Sequence, residues 1–339
     1  MTNSNRTWIM AKVPTGALEE DCFELIEQDI PKPKEGEVLL RNLYFSCDPT
    51  QLGWMNGSAD YMEPVKIGQA MKASAVAQVV ESNNPQYKNG DIVSGLLGWS
   101  EYWLSDGRDL MGGPLSHVGG QVPIPVSMGL LHITGFSAYF GLLDLGKPLP
   151  GDTVFVSGAA GAVGSVAGQI AKIAGCKVIG TAGTDEKCTW VKDELGFDDC
   201  INYKTENIPQ RLKAFAPTGI DIYFDNVGGQ ILDDALAQLA NGARVVLCGG
   251  ISGYEKPQPG PSNMMMLALR RATISGFIVI DYMSQFATAG ARMGEWYASG
   301  KLKSKEDIVE GFENAPAALK GLFTGDNMGK RLIHIADPQ

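Results

Sequence analysis

The hydrophobic positions of this 339-residue chain fall into two regimes. Up to about residue 120, short apolar runs such as 37–41, 75–80 and 91–95 alternate with Pro and Gly punctuation, which predicts a mostly β domain. From Val126 onward the pattern becomes alternating helix and strand, with strands expected near 153–157, 177–181, 220–225, 243–248 and 273–279. Such alternation implies a parallel sheet covered on both faces by right-handed crossovers. A helix at 315–323 and a strand at 330–336 close the chain and read as a return to the first domain. The expected class is α/β: a doubly wound parallel sheet over 125–304, joined to a mostly β domain over 1–124 and a C-terminal return over 305–339. No internal repeat and no low-complexity tract interrupts this organisation.

The junction at 153–174 carries the most chemistry. Thr153 to Ser157 is a β-branched and aromatic run, and Val166, Ile170, Ile173 and Ala174 share one helical face over 165–174. Between them, Ala159-Ala160-Gly161-Ala162-Val163-Gly164 is a GxGxxG-type turn with alanine in place of the first glycine. Small residues here let the backbone approach a pyrophosphate and pack helix on strand, while the helix N-terminus donates its free N–H groups. The strand–turn–helix context makes this a dinucleotide-binding turn rather than a chance glycine pair.

The next strand should end beside the adenosine ribose, where NAD enzymes place an acid. Here it ends Gly180-Thr181-Ala182-Gly183, and the first acid, Asp185, follows the turn with Glu186 beside it. Those two carboxylates are expected to cap the following helix. Lys187 is a candidate partner for a 2′-phosphate, so a missing acid and an available cation point to NADPH. Lys187 fits equally a solvated lysine in the first turn of a helix.

Net charge is −10, which argues against nucleic acid or an anionic membrane as a partner. The 44% hydrophobic and 19% charged residues describe an ordinary globular protein with a sizeable core. The polar start Met1-Thr-Asn-Ser-Asn-Arg shows no signal-peptide pattern, and a cytoplasmic location is expected. Residues 110–143 contain no Asp, Glu, Lys or Arg, but three prolines and seven glycines break the stretch, so burial in protein is expected rather than a membrane span. The six cysteines have no CxxC spacing and read as reduced structural thiols; the three histidines, His117, His132 and His334, are scattered, so no metal site is expected from local spacing.

Further motifs follow in order: Asp185-Glu186-Lys187, Asn202-Tyr203-Lys204, Asp225-Asn226-Val227-Gly228-Gly229, Cys248-Gly249-Gly250-Ile251-Ser252-x-Tyr254, Gly276-Phe277-Ile278-Val279 and Asn327-x-Gly329-Lys330. With the Gly161–Gly164 turn, they make essentially the whole chain resemble the zinc-independent medium-chain dehydrogenase/reductases of the prostaglandin reductase and alkenal double-bond reductase type, including curcumin reductase-like members. The resemblance implies a GroES-like N-terminal domain, a Rossmann domain, an active site in the cleft and a homodimer. It implies that Gly161, Ala162, Val163 and Gly164 hold the pyrophosphate, and that Gly183, Lys187 and Tyr203 hold the adenosine end with its 2′-phosphate. Asn226 and the loop with Cys248, Gly249, Ile251 and Tyr254 are implied to lie along the cofactor. Phe277, Ile278 and Val279 would then flank the nicotinamide, with Asn327 closing from the C-terminal segment; the plain alternative for 277–279 is a buried strand.

Zinc members of the same superfamily place a Cys, a Gly-His-Glu and a later Cys or Asp around the metal. Here Cys47-Asp48 occupies the first position, Gly68-Gln69-Ala70 stands at the second, and no cysteine quartet exists, so Cys47 reads as a buried structural thiol. Conjugate reduction remains accessible without a Lewis acid: a hydride adds to the β-carbon of an α,β-unsaturated ketone or aldehyde, and charge develops on the carbonyl oxygen. The expected function is therefore NADPH-dependent reduction of that carbon–carbon double bond in a small hydrophobic enone or enal.

Two departures from the family bear on the proton donor. The residue after Phe-Ile-Val, often tyrosine, is Ile280, and the stretch Asp-Pro-Tyr-Met-Arg-Gly reads Asp48-Pro49-Thr50-Gln51-Leu52-Gly53. Tyr61, which aligns with a tyrosine of curcumin reductase-like members, is the first candidate donor, and Tyr282 is the second. Trp54, Tyr61, Met62, Trp99, Phe136 and Met264 to Met266 suit an apolar pocket and equally a core. A quinone oxidoreductase, sharing fold and cofactor, and a non-catalytic NADPH-binding protein stay open as alternatives on the sequence.

Overall fold

In the computed structural model the chain divides into two compact units, one running to Met128 and resuming over Glu306–Gln339, the other spanning Gly129–Lys305. The structure describes residues 4–339; Met1–Asn3, the first part of the polar start, lies outside them.

The first unit is mostly β. Val38–Ser46 and Lys72–Ser82 pair antiparallel at its centre, with Ile92–Gly98 and Ser116–His117 beyond on one side. On the other side Lys330–His334 pairs with Val38–Ser46, Leu332 opposite Ser46, and Glu306–Glu310 adds in parallel at the edge. Tyr102–Ser105 also pairs with Val38–Ser46. A separate hairpin joins Ser4–Met10 to Phe23–Asp29. Trp99 is fully buried in this core, stacked between Phe23 and Phe45 at centroid distances of 5.8 and 4.9 Å. Stacks of this kind add to the area term of burial.

The second unit is a six-stranded, wholly parallel sheet in the spatial order Asp199–Asn202, Lys177–Ala182, Thr153–Val156, Ile220–Asp225, Leu239–Leu247, Thr273–Gly276. The chain moves outward from Thr153–Val156 in one direction and then jumps back to Ile220–Asp225, so the strand order reverses between those two. This is the α/β, doubly wound arrangement expected from the alternation, and its switch point lies beside the glycine turn. Helices Ala162–Ile173, Asp185–Asp193, Ile208–Phe215 and Gly229–Leu236 form the crossovers. The central strands are buried on both faces, which is why Val154, Phe155 and Val156 form an unbroken apolar run rather than an alternating one.

Several local expectations are corrected. The helix after the glycine turn begins at Ala162, because Gly161 already sits in extended conformation as its N-cap. The strand expected over 243–248 starts at Leu239 and ends at Leu247. Phe277–Val279 is not a strand: Thr273–Gly276 stops short, Phe277 packs sideways, and Val279 opens a 3₁₀ helix, Val279–Gln285. A four-residue strand, Asp199–Asn202, was not expected at all. The charge-free stretch 110–143 holds Ser116–His117 and helices Ile124–Gly129 and Ile133–Phe140. Among the described residues no helix is long and apolar enough to cross a membrane.

Two glycines inside helices should respond in opposite directions to alanine. A Cβ on Gly168 would sit 1.8 Å from the ring of buried Phe197, whereas Gly294 in helix Phe286–Ala298 has nothing within 4 Å. Gly168→Ala should lower the unfolding free energy by about 1–3 kcal/mol through overpacking. Gly294→Ala should raise it by about 0.5–1 kcal/mol through helix propensity. Urea unfolding of both variants checks this; effects of the same sign would contradict the packing account.

Candidate active site

The glycine turn is built by sterics. Gly158 adopts φ +62°, the left-handed region, directly after the strand Thr153–Val156 and Ser157. A Cβ on Gly164 would lie 2.3 Å from the Gly158 carbonyl oxygen, and one on Gly180 would lie 2.4 Å from Ala159 Cβ. Strand, turn and helix therefore approach as closely as backbone allows. Gly161, the N-cap of helix Ala162–Ile173, offers no side-chain hydrogen bond, and the first turn carries no acid. Its N–H groups, Ala162 and Val163 among them, are left to an external acceptor, and the macrodipole favours an anion there.

The next helix is finished differently. Thr184, not Asp185, is its N-cap, and the Thr184 hydroxyl accepts from the Lys187 N–H at 3.2 Å. Asp185 instead accepts from the Asn202 amide at 2.7 Å, tying the helix to the strand Asp199–Asn202. That bond turns the carboxylate toward Asn202. Gly183 is needed because a Cβ there would meet the Tyr203 hydroxyl at 2.9 Å, so the exposed Tyr203 ring lies over the end of the strand. Gly183, Lys187 and Tyr203 are thus gathered at one strand end, with Lys187 half-buried.

Across the switch point the organising group is Asp225, a buried carboxylate whose importance was not evident from sequence. Its Oδ1 accepts from Ser157 Oγ at 2.8 Å, Tyr223 Oη at 2.6 Å, Val227 N at 3.0 Å and Gly228 N at 2.9 Å. Its carbonyl accepts from the N–H groups of Cys248 and Gly249. Asn226 binds both the hydroxyl and the carbonyl of Ser157. Ile251 and Ser252 donate to the carbonyls of Asn226 and Val227, so the 248–254 loop is laced to the 225–229 turn. Burial pushes the Tyr223 hydroxyl well above its ordinary pKa, with the Asp225 charge second, so it stays a donor.

These loops border an open cavity of about 650 Å³ lined by Asp225, Gly228, Cys248, Gly249, Phe277 and Ile278, among others. Four of its lining residues are glycines, Gly228, Gly249, Gly250 and Gly276, which present only main chain. Phe277 reaches it by lying over Gly141, where a Cβ would be 2.7 Å from Phe277 Cζ. Ile278 is exposed and Val279 is buried. Cys248 is partly exposed as a residue, but desolvation of its thiol pushes the pKa up to about 12, with Asp225 adding to it. Tyr254 lies near Gly249, exposed. A cradle closed to a Cβ at Gly164, an uncapped helix start and an open cavity suit a dinucleotide.

The two candidate tyrosines have different surroundings. In the second unit, Tyr282 Oη donates to Asp144 Oδ2 at 2.6 Å, and its ring stacks on Phe140 at 4.5 Å. Asp144 is presented by a π-helical turn, Gly141–Gly146. The hydrogen bond to Asp144, then burial, push the Tyr282 pKa up to about 12. In the first unit, helix Thr50–Asn56 ends at Gly57 with φ +75°, the chain reverses, and the half-buried Tyr61 meets that helix again. The Tyr61 hydroxyl is hydrogen-bonded to Thr50 Oγ1 and accepts from Trp54 Nε1 at 3.4 Å. Thr50 and Trp54 are four apart and so share a helix face.

Other expected residues are placed as follows. Trp99 is core, not pocket wall. Met264 and Met265 are exposed at 45% and 69%. Phe136 is buried against Phe286. In the first unit Asn327 donates to the Gly329 carbonyl at 2.9 Å. Cys47 is buried, which pushes its thiol up to about 12, and Asp48 beside it accepts from buried Lys330 and from Ser46. Among the described residues no three His, Cys, Asp or Glu side chains gather as a metal requires.

Comparison with known proteins bears on family and fold. Residues 6–112 match the family described as N-terminal domain of oxidoreductase, and residues 162–295 match that described as zinc-binding dehydrogenase. The chain is 41% identical to the NADPH-dependent curcumin reductase of Escherichia coli, over 98% of this chain and 97% of that protein. It is 40% identical to prostaglandin reductase 1 of Rattus norvegicus, over 97% and 98% respectively. The crystal structure of CurA from Vibrio vulnificus in complex with NADPH superposes with a TM-score of 0.92 at 41% identity, covering 98% of this chain and all of that one. The chain therefore belongs to the medium-chain dehydrogenase/reductase family, in its prostaglandin reductase and alkenal double-bond reductase branch.

Proposed function

We propose that this protein is an NADPH-dependent reductase of carbon–carbon double bonds conjugated to a carbonyl group. The observation that carries the reading is the Gly158–Gly164 cradle followed by an uncapped helix, in a chain 41% identical over nearly its whole length to an NADPH-dependent curcumin reductase. NADPH, when bound, supplies a hydride to the β-carbon of the enone or enal. Gly161, Ala162, Val163 and Gly164 hold the pyrophosphate through their N–H groups. Gly183, Lys187 and Tyr203 hold the adenosine end, with Lys187 supplying the charge for a 2′-phosphate. Asn226, the loop of Cys248, Gly249, Ile251 and Tyr254, and Phe277, Ile278 and Val279 shape the nicotinamide half, and Asn327 contributes from the C-terminal segment.

Negative charge forms on the substrate's carbonyl oxygen, and a proton must follow. Tyr61 is the proposed donor. The proton of Tyr282 is engaged by the Asp144 carboxylate, whose hydrogen bond pushes the Tyr282 pKa up to about 12 and holds the proton on the phenol. The Tyr61 hydroxyl is hydrogen-bonded to two neutral groups, the Thr50 hydroxyl and the Trp54 indole N–H. Tyr282 is better assigned to holding Phe140 and Phe277 in place.

The protein is further proposed to act in the cytoplasm as a homodimer. Thr273–Gly276 is an edge strand with one side unpaired in the sheet, and the helix Met265–Arg270 before it leaves Met265 and Leu269 exposed at 69% and 61%. A second copy laid against this edge would pair the strand and cover those side chains.

Three outcomes are expected. Purified protein should oxidise NADPH with a 2-alkenal or an enone and yield the saturated carbonyl compound by mass spectrometry; turnover of a quinone alone would replace this reading by a quinone reductase, and NADPH binding without any turnover by a binding protein. Lys187→Ala should raise the KM for NADPH by roughly 10- to 100-fold with little change for NADH, the loss of a charge-assisted bond of about 1.5–3 kcal/mol. Leu269→Asp should convert a dimer to a monomer in sedimentation velocity; a wild-type protein that sediments as a monomer would sink the dimer.

A further inference from the structure

We infer that Thr50 and Tyr61 form a two-hydroxyl proton relay oriented by the Trp54 indole, a deepening of the reduction proposed above that rests on Tyr61 as its proton donor. Three features converge. The Trp54 Nε1–H can only donate, so it occupies a lone pair of the Tyr61 oxygen and turns the phenolic proton away from the indole. The Thr50 hydroxyl is the other partner of that oxygen and can both give and take a proton. Trp54 is buried while Thr50 and Tyr61 are only half-buried, so the indole is fixed by packing beside two residues that are partly open to solvent.

The geometry is set by the sequence around it. Thr50 opens helix Thr50–Asn56, Trp54 follows one turn later, and the left-handed Gly57 returns the chain. Gly53, where a Cβ would lie 3.1 Å from Ala59 Cβ, lets the returning segment close on the helix. The Val65 N–H donates to the Trp54 carbonyl at 2.8 Å and fastens the far end of the segment.

In the relay the Tyr61 O–H bond breaks as its proton passes to the enolate left by hydride addition. The Thr50 hydroxyl proton moves to the Tyr61 oxygen, and a solvent water restores the proton on Thr50, leaving a hydroxide that the buffered solvent neutralises. The substrate gains one hydride and one proton, Tyr61 and Thr50 end as they began, and the proton consumed comes from water. Trp54 and Thr50 are positioning residues: their two donors support the Tyr61 oxygen while it has given up its proton.

A proton inventory on the wild-type protein tests this directly. Turnover of an enone measured across mixtures of H₂O and D₂O should bow downward, as two protons in flight require; a straight line would overturn the relay. Thr50→Val should lower kcat about tenfold with the KM for NADPH unchanged and should straighten the inventory, and Thr50→Ser should restore both. In a Tyr61→Phe background Thr50→Val should cost nothing more. Wild-type turnover in Tyr61→Phe would remove Tyr61 as donor and the relay with it. A crippled Tyr61→Phe beside a fully active Thr50→Val would remove the relay alone. NADPH binding by each variant, followed by its fluorescence, reports folding independently of turnover.

Discussion

The Asp225 carboxylate is the constraint on which the second unit depends. A parallel sheet must leave its strands at one end, and at the switch point two strands part in opposite directions, exposing backbone groups that need partners. Asp225 supplies four acceptor contacts from one oxygen, joining Ser157 at the end of one strand to the 226–228 turn at the end of the other. Tyr223, two residues earlier on the same strand, adds the fourth donor from within the core. A buried carboxylate with several donors is stable where an unpaired one would not be. Cavity shape follows from this bond set, because the 248–254 loop hangs on the carbonyls of Asp225, Asn226 and Val227.

Charge is arranged with the same economy. The chain carries a net charge of −10, yet an anionic cofactor needs a local field of the opposite sign. Helix Ala162–Ile173 presents bare N–H groups with no acid in its first turn. Helix Asp185–Asp193 carries two acids in its first turn, but Thr184 caps it and Asn202 engages Asp185. Neighbouring helix starts in one sheet thus have opposite characters: the first offers bare backbone N–H groups, the second only the side chain of Lys187.

Much of the fold was legible because sterics and periodicity speak locally. Gly161 and Gly164 announce the turn, and at Gly164 no larger residue fits against the Gly158 carbonyl. The buried strands announce themselves as β-branched runs. What stayed hidden depends on contacts distant in sequence. Asp199–Asn202 is four residues with polar ends and becomes a strand only by pairing with Lys177–Ala182. Phe277-Ile278-Val279 looks like the continuation of a strand, but Gly141, more than a hundred residues earlier, opens the space that draws Phe277 aside. Trp99 reads as a pocket aromatic until Phe23 and Phe45 are seen on either side. Asp185 has the composition of a cap, but Thr184 takes the role because it holds the extended backbone just before the helix, from which its hydroxyl reaches the Lys187 N–H, while Asp185 is already helical. Among the candidate catalytic groups, Tyr61 and Tyr282 could be named from sequence, while Thr50 and Asp144, which separate their chemistry, could not.

The cavity wall near Gly228, Gly249, Gly250 and Gly276 is largely peptide backbone. Peptide groups are common to every residue, so a surface made of them descends with the path of the chain rather than with particular side chains. Lineages can then replace most of the surrounding residues and keep the same cradle, provided the few glycines that permit the path survive.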